Sequence, residues 1–320
     1  MKVFKKIVAA LLLASAVYLC GCTGLVEHFY PEQTTGEEQS VFVPVDVEDG
    51  SIYFKDFDGN IITLSEAPDK VSSLSDISTE ILCGLGLGRY INAVNESSLK
   101  VEGAPISAAV LPDFYGDTEK LVELAPQLVF YDSTLSYLTV SMMKNAGLTL
   151  VRVQEKGDIA TAESNIRFIS SLMYKESAGE RLISEMRGEY EKMKVLAELI
   201  GMKKRVYIES TAAYYICGGD TIISQLCEYA GAENVFAEKS GMYMTSAAEL
   251  KRLDPEAIIV LSNDVDNFTI DAVTKRAGLE DVYAVRIKAV YAVDAKLASR
   301  PTQNITKALR RIGEVLKVTK

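Results

Sequence analysis

Two stretches of the chain match when they are aligned on their prolines: EKLVELAPQLVF at residues 119–130 and AELKRLDPEAIIV at residues 248–260. In both, leucines at helical spacing predict a short helix that ends near the proline. The apolar run that follows predicts a strand covered on both faces, which is typical of parallel sheets flanked by helices. We therefore predict two α/β lobes built on a similar plan.

The segments that precede these two stretches also correspond. In the first half, a strand over residues 70–74 leads through a polar turn at 75–78 into an apolar helix at 79–87. In the second half, a strand over residues 204–208 leads through a longer loop into a helix at 221–229. Alternating strands and helices favour parallel sheets. The predicted fold class is therefore α/β, with two Rossmann-like lobes and a ligand cleft between them.

The stretch between the two halves has no proline from about residue 161 to residue 200, and its apolar residues recur mostly at three and four positions. This pattern predicts a single long helix of roughly 50 to 60 Å that joins the lobes, with an interruption near residues 177–179. We assign residues 51–157 to the N-terminal lobe, 158–202 to the bridging helix and 203–320 to the C-terminal lobe. A hairpin is predicted around Asp58-Gly59-Asn60, and an amphipathic helix closes the chain.

The amino-terminal residues read as a secretion signal. Three lysines within the first six residues precede an apolar run over residues 7–19, which is shorter than the roughly 20 residues a membrane span needs. Gly21 before Cys22, with Leu19 two residues before Gly21, resembles a bacterial lipobox. We expect residues 1–21 to be removed, Cys22 to be lipidated and residues 22–50 to form a polar tether; an ordinary cleaved signal is the alternative.

Composition narrows the chemistry of the folded body. The one histidine of the chain is His28, in the tether, so neither a His-based triad nor a zinc site of several histidines can form in the lobes. The formal charge of −10 becomes −13 once the three signal lysines are removed, which argues against a nucleic-acid partner. Cys83, Cys217 and Cys227 are expected to be free thiols, with a Cys217–Cys227 disulfide as the alternative. We expect no enzymatic activity, and a cleft enzyme is the competing hypothesis.

Several segments together resemble a known family. Residues 70–94, the helix-strand at 119–129, the predicted bridging helix, residues 220–236 and Arg300-Pro301 resemble the helical-backbone substrate-binding proteins of ABC importers, which capture cobalamin, ferric siderophores or haem. The resemblance extends from about Ile52 to Leu316. It implies a monomeric lipoprotein, anchored to the outer face of the cell membrane, that serves an importer permease and its ATPase. A lipoprotein that presents its ligand to a sensor is the alternative.

The resemblance also implies where the permease docks. Family members present an acidic residue on each lobe, seven residues before the proline that ends the helix. Glu119 occupies this place in the first lobe, whereas the second lobe has Ala248 there and Glu249 one residue later, about 100° around a helix. Glu249 therefore substitutes for the second acid or docking is asymmetric. Ordinary solvated glutamates are the competing interpretation of both residues.

Candidate ligand contacts come from the loops predicted to face the cleft. Ser75 and Asp76 lie at a helix start, where backbone donors suit an anionic group, although capping of that helix is the alternative. The guanidinium of Arg300 could bind a negatively charged chelate or form a salt bridge with an acidic side chain. The tyrosines would supply contact area and hydroxyl groups to a flat or catecholate-bearing ligand. The full predicted set is Ser75, Asp76, Tyr115, Tyr131, Tyr214, Tyr215, Tyr243, Asn263 and Arg300.

Arginine and tyrosine together favour a ferric siderophore as the ligand, with cobalamin or haem as alternatives. The chain has no tryptophan to stack on a corrin ring. A bare zinc or manganese ion is disfavoured because the body lacks histidine ligands. No cofactor is expected other than the N-terminal lipid.

Overall fold

The computed structural model describes residues 45–46, 52–211, 213–263 and 267–317. The predicted signal peptide, Cys22 and nearly all of the tether lie outside the described residues. Within the described part of the chain, no helix combines the length and the apolar character that a membrane span requires.

The first lobe is built on a five-stranded sheet in which every pairing is parallel. Its strands, in chain order, are β4 (Val71–Leu74), β5 (Ile91–Asn95), β6 (Ala109–Leu111), β7 (Leu128–Tyr131) and β8 (Leu150–Arg152). Its helices are α1 (Asp76–Gly84), α2 (Thr118–Leu124) and α3 (Tyr137–Asn145), with short 3-10 turns at Gly88–Tyr90 and Glu96–Lys100. The spatial order β6-β5-β4-β7-β8 places β4 at the centre of the sheet.

A small antiparallel sheet precedes this lobe and consists of β1 (Val45–Asp46), β2 (Ile52–Lys55) and β3 (Ile61–Leu64). The predicted hairpin is confirmed, because β2 pairs with β3 and Gly59 adopts the positive φ of 81° that the turn requires. Asp56 fastens the hairpin to the lobe: its Oδ2 accepts a hydrogen bond from the backbone N–H of Arg152 at 2.9 Å. The hairpin therefore continues the first lobe.

The second lobe contains a six-stranded mixed sheet. Its strands are β9 (Lys204–Glu209), β10 (Tyr215–Cys217), β11 (Ala232–Asn234), β12 (Met242–Met244), β13 (Ala257–Ser262) and β14 (Val290–Asp294). Its helices are α6 (Ile222–Tyr229), α7 (Ala247–Leu253), α8 (Asn267–Thr274), α9 (Tyr283–Arg286), α10 (Ala295–Ser299) and α11 (Ile305–Leu316). Strands β9, β11, β13 and β14 pair in parallel, whereas β10 and β12 are antiparallel.

These two sheets confirm the predicted α/β class with two lobes. The lobes are less alike than the sequence repeat suggests, because the segment predicted as a long loop before residue 220 contains β10. The first crossover helix also begins earlier than predicted. It starts at Asp76 rather than near residue 79, because Ser75 caps it by accepting a hydrogen bond from the backbone N–H of Ile77.

The predicted long helix, with an interruption near residues 177–179, is divided into two helices by a break at residues 173–175. Two helices occupy this stretch, α4 (Ile159–Leu172) and α5 (Glu176–Leu199), and the chain reverses at Tyr174, which has a φ of 54°. They pack antiparallel, since Arg187 near the middle of α5 reaches Glu163 in the second turn of α4. In both helices the buried apolar residues recur at three and four positions, and the turn between them has neither proline nor glycine. The apolar pattern in the sequence therefore continues through the reversal of the chain. The element that bridges the lobes is α5, whose 24 residues span about 36 Å.

One continuous apolar core joins the two lobes. It contains Val71 and Ile81 of the first lobe, Ile183 of α5, and Val206 and Leu309 of the second lobe, all almost fully buried. A second, smaller core covers the other face of the first sheet and includes Leu74, Leu121 and Val129. Because the large core extends from α1 through α4 and α5 to α6 and α11, the lobes are packed together and not merely tethered.

Candidate functional site

The carboxyl ends of the parallel strands mark the candidate site, because ligands of open α/β sheets bind beyond these ends. In the second lobe a cavity of about 410 Å³ lies beyond β9 and β13. Its lining includes Glu209, Ser210, Asn263, Ala272 and Arg276. The structure thus places Asn263, one of the predicted contacts, at this cavity as an exposed residue directly after β13.

An ion pair at this cavity was not predicted from the sequence. The guanidinium of Arg276 donates two hydrogen bonds to the Glu209 carboxylate, at 2.8 Å and 2.7 Å. The hydroxyl of Tyr207 and the backbone N–H of Tyr214 also donate to Glu209, at 2.8 Å and 3.0 Å. The hydrogen bonds from Arg276 to the Glu209 carboxylate raise the pKa of Arg276 above its usual value. The pair was missed because its members are far apart in sequence and neither follows a motif.

Of the three tyrosines predicted in the second lobe, Tyr214 contacts this pair. Tyr214 has a positive φ of 61°, and the Arg276 guanidinium lies 4.6 Å from the centre of its ring. Tyr215 is exposed on β10, and its backbone carbonyl accepts a hydrogen bond from Ser210. Tyr243 is exposed on the neighbouring β12, with the Lys239 ammonium 5.2 Å from its ring centre. Tyr215 and Tyr243 therefore offer aromatic surface beside the carboxyl end of β9.

In the first lobe, the predicted polar contacts form internal hydrogen bonds. Ser75 is fully buried, and its hydroxyl donates to Asp132 Oδ2 at 2.5 Å while capping α1. Asp76 Oδ1 accepts hydrogen bonds from the hydroxyls of Ser97 and Ser98, at 2.7 Å and 2.8 Å. The geometry of Ser75 favours the capping alternative over direct ligand contact.

Tyr131 does not match its predicted role. Its side chain is only 2% exposed, and its hydroxyl donates to Asp58 in the β2–β3 turn at 2.8 Å. Burial, followed by the Asp58 carboxylate, raises the pKa of Tyr131 well above its usual value. The hydroxyl therefore fastens the hairpin to the sheet, and a cleft ligand cannot reach it. A strand-terminal position alone could not reveal which way this side chain points.

Tyr115 is the first-lobe tyrosine that stays available. It follows β6 and is 68% exposed, and its ring packs edge-on against Phe114 at a centroid distance of 4.9 Å. The backbone carbonyl of Phe114 accepts a hydrogen bond from the N–H of Ser136, which holds this aromatic pair against the start of α3. The pair gives the first lobe an aromatic surface at the carboxyl end of its sheet.

Arg300 forms an ion-pair network that crosses between the lobes. Its guanidinium donates to Asp76 Oδ2 and, at 2.9 Å, to Glu80 Oε1, both in α1. Glu80 Oε2 also accepts hydrogen bonds from Thr302 at 2.6 Å and Asn304 at 2.8 Å. Of the two alternatives for Arg300, the structure shows pairing with acids, and these acids belong to the opposite lobe. Glu80 was missed because it lies on a face that sequence alone assigns to the core.

The two candidate docking acids lie on equivalent helices. Both α2 and α7 have seven residues and end in a left-handed residue, Ala125 or Asp254, immediately before a proline. Glu119 is the second residue of α2 and is exposed, whereas Glu249 is the third residue of α7 and accepts a hydrogen bond from Thr245 at 2.8 Å. Counted from the N-cap residues Asp117 and Ser246, the positions of the two glutamates therefore differ by one residue, as the sequence indicated.

Two further features lie apart from the strand ends. Cys83, Cys217 and Cys227 are free, and the described residues contain no group of three His, Cys, Asp or Glu side chains arranged to hold a metal ion. A larger cavity of about 770 Å³ is lined by residues of α4, α5 and α6 and by Lys203, near the amino end of β9. The smaller cavity is the candidate site, because ligands of this architecture bind at the opposite, carboxyl ends of the strands.

One parallel and one mixed sheet, a shared core and a cavity at the strand ends define a two-lobed solute-binding protein. The periplasmic binding protein family matches residues 71–297, well over half of the chain, and the chain belongs to this family. Its relatives are substrate-binding proteins of ABC transporters, so the fold serves solute capture.

Three similar proteins illustrate this relationship. The chain is 26% identical to the uncharacterised ABC transporter substrate-binding lipoprotein YvrC of Bacillus subtilis, over 96% of this chain and 95% of that protein. It is 22% identical to a cobalamin-binding protein of Halobacterium salinarum, over 94% of this chain and 82% of the relative. The crystal structure of a possible iron-binding, periplasmic solute-binding protein of Staphylococcus epidermidis superposes with a TM-score of 0.72 at 22% identity, covering 78% of this chain and 99% of that one.

Proposed function

We propose that the protein captures a metal chelate between its lobes, outside the cytoplasm, and delivers it to the permease of an ABC importer. The observation that carries this proposal is the cavity of about 410 Å³ at the carboxyl ends of β9 and β13. Lipidation at Cys22 would hold the protein at the cell membrane. Glu119 and Glu249, on equivalent helices of the two lobes, would contact the permease.

A ferric siderophore is the ligand we favour, and a corrinoid such as cobalamin is the alternative. Exposed Tyr115, Tyr215 and Tyr243 offer apolar surface with hydroxyl groups, which suits a large chelate with both kinds of surface. The iron-binding name of one similar structure supports the first choice, and the cobalamin-binding relative supports the second. Arg300 no longer adds to the case for an anionic chelate, because its guanidinium is paired with Asp76 and Glu80.

Ligand-induced thermal stabilisation tests this proposal. Purified protein is titrated with ferric siderophores, corrinoids and haem, each next to its metal-free form where one exists. A true ligand at 100 times its dissociation constant should add about 2.7 kcal/mol to the free energy of unfolding. One ligand class should raise the melting temperature, and the absence of a shift with every class would contradict the proposed function.

A matched pair of variants tests whether binding occurs in the cavity. Ala272 lines the cavity, so Ala272→Trp should fill it and abolish the ligand-induced shift. Ala277 is exposed on the same segment but is not part of the lining, so Ala277→Trp should leave the shift unchanged. A full shift in Ala272→Trp would move the binding site elsewhere.

A further inference from the structure

We propose that the cleft selects metal complexes that are neutral or positively charged and rejects anionic ones. This inference rests on the proposed function and specifies the chemical class of its ligand. It follows from the ionisable side chains that the two sheets place at their carboxyl ends, and from the partners those side chains already have.

In the part of the chain that the structure describes, none of the arginines at the strand ends is without a carboxylate partner. Arg152, the last residue of β8, pairs with Glu155 at 2.8 Å. Arg276 gives two hydrogen bonds to Glu209 and is 16% exposed. Arg300 is held by Asp76 and Glu80 and is 22% exposed. An anionic ligand would have to separate one of these pairs and leave a buried carboxylate without its cation, which is strongly unfavourable. Arginine therefore does not provide this cleft with an anion-binding group.

The carboxylates at the same strand ends outnumber the arginines. Asp76, Glu80, Asp132 and Glu209 are all buried, and among the described residues Arg276 and Arg300 are the cations that pair with them, so this group carries a formal charge of −2. Each of these carboxylates accepts hydrogen bonds at both of its oxygens, which is the arrangement of an ionised carboxylate. Buried charges are poorly screened by salt, so this surplus repels an approaching anion.

The rest of the cleft surface suits a neutral or cationic complex. Phe114, Tyr115 and Tyr215 expose aromatic rings, whose faces attract cations and whose area buries apolar ligand surface. The cavity lining adds neutral hydrogen-bonding groups, such as the amide of Asn263. Hydroxamate chelates and corrinoids present such uncharged polar surfaces, whereas tricatecholate complexes and the propionates of haem carry negative charge.

A matched ligand series tests the selection. The probes are the ferric complexes of a linear trihydroxamate that ends in a free amine, of its N-acetyl derivative and of its N-succinyl derivative. They share one iron centre and are cationic, neutral and anionic. By titration calorimetry, the anionic complex should bind at least about tenfold more weakly than the other two. Equal binding of all three, or tightest binding of the anion, would overturn the inference while leaving the proposed function intact.

Two variants test whether the cleft carboxylates cause the weaker binding of anionic complexes. Asp132→Asn removes one negative charge at the end of β7 and keeps the side-chain shape, so it should narrow the anionic-to-neutral affinity ratio severalfold. Glu233→Gln removes an exposed charge near the amino end of β9 and should leave the ratio unchanged. An unchanged ratio in Asp132→Asn would overturn the inference.

Corrinoids complete the test. If no trihydroxamate binds, neutral cobalamin is compared with its monocarboxylate derivative in the same assay, and the carboxylate should again bind at least about tenfold more weakly. If no siderophore, corrinoid or haem binds, the proposed function itself fails and this inference fails with it.

Discussion

Arg300 shows how one residue serves the structure of both lobes. Its position before Pro301 at the start of the last helical segment was readable from the sequence, but its partners Asp76 and Glu80 lie more than two hundred residues earlier. Sequence could therefore place the cation near the cleft without showing that two carboxylates already occupy it. Tyr131 and Ser75 failed as ligand contacts for the same reason, because side-chain direction and internal hydrogen bonds depend on tertiary packing.

Replacing Arg300 should destabilise the protein strongly. Arg300→Met keeps much of the apolar stem but leaves Asp76 and Glu80 buried without their cation, so we expect a loss of about 3 kcal/mol in the free energy of unfolding. Urea denaturation measures this loss. Arg311→Met removes an exposed pair with Glu314 at 3.4 Å and should change the free energy by less than about 0.5 kcal/mol. Equal stability of the two variants would show that the network between the lobes contributes little.

Glu119 and Glu249 should act in transport and not in binding. We expect Glu119→Ala to reduce ligand uptake by cells about tenfold or more while the dissociation constant stays the same, since the exposed carboxylate lies on α2 outside the cavity. Glu123→Ala on the same helix is the control and should transport normally. Unimpaired uptake by Glu119→Ala would favour the sensor hypothesis, and a smaller effect of Glu249→Ala than of Glu119→Ala would indicate asymmetric docking.

At the scale of elements, local patterns predicted most of the fold. The hairpin at Asp58-Gly59, the helix-strand repeats and the closing helix α11 all follow from periodicity and turn residues. The sequence indicated an interruption near residues 177–179, but the reversal of the chain at Tyr174 could not be predicted, because neither proline nor glycine marks it. After the reversal, α5 packs closely against α4 at Gly179, where an added Cβ would lie 2.7 Å from the Cβ of Ser170. A glycine within a helical pattern does not reveal what packs against it.

Two glycines of α5 provide a test of this contact. Gly179→Ala should push α4 and α5 apart and lower the free energy of unfolding by about 1–3 kcal/mol. Gly188→Ala lies on the same helix, is exposed and has nothing within 4 Å of the added carbon, so it should raise the free energy by about 0.5–1 kcal/mol through helix propensity. Opposite signs in thermal unfolding would support the helical hairpin, and a stabilising Gly179→Ala would contradict it.

The thiol of Cys217 at the end of β10 should make stability depend on alkaline pH. Burial raises the pKa of Cys217 from 9.0 to about 12. The unfolded chain therefore releases this proton at lower pH than the folded chain, and the stability due to the buried thiol is lost as pH rises from about 9 to about 12. Urea unfolding across this interval should show a shallower decline for Cys217→Ala than for the wild type. Identical pH slopes would indicate that the thiol is accessible to water.

At the scale of the whole molecule, the lobes are joined by several independent contacts. These are the core through α5, the Arg300 network and a hydrogen bond from the backbone N–H of Ile159 to Gln225 at 2.9 Å. We expect the radius of gyration measured by small-angle scattering to change by less than about 1 Å when ligand binds. A variant with Arg300→Met should show a larger change than the wild type if the network restrains the lobes. A large closure in the wild type would contradict this rigidity.

The rigidity of α5 has a consequence for the rate of ligand transport. If Glu119 and Glu249 keep a constant separation whether or not the cleft is filled, the permease meets the same pair of charges on a loaded and on an unloaded molecule. Unliganded copies would then compete with liganded copies for the same docking site on the permease. A cell that makes more of the protein than it has ligand would therefore slow its own uptake of that ligand. The ratio of receptor to permease, and not the affinity of the cleft alone, would set the rate of uptake.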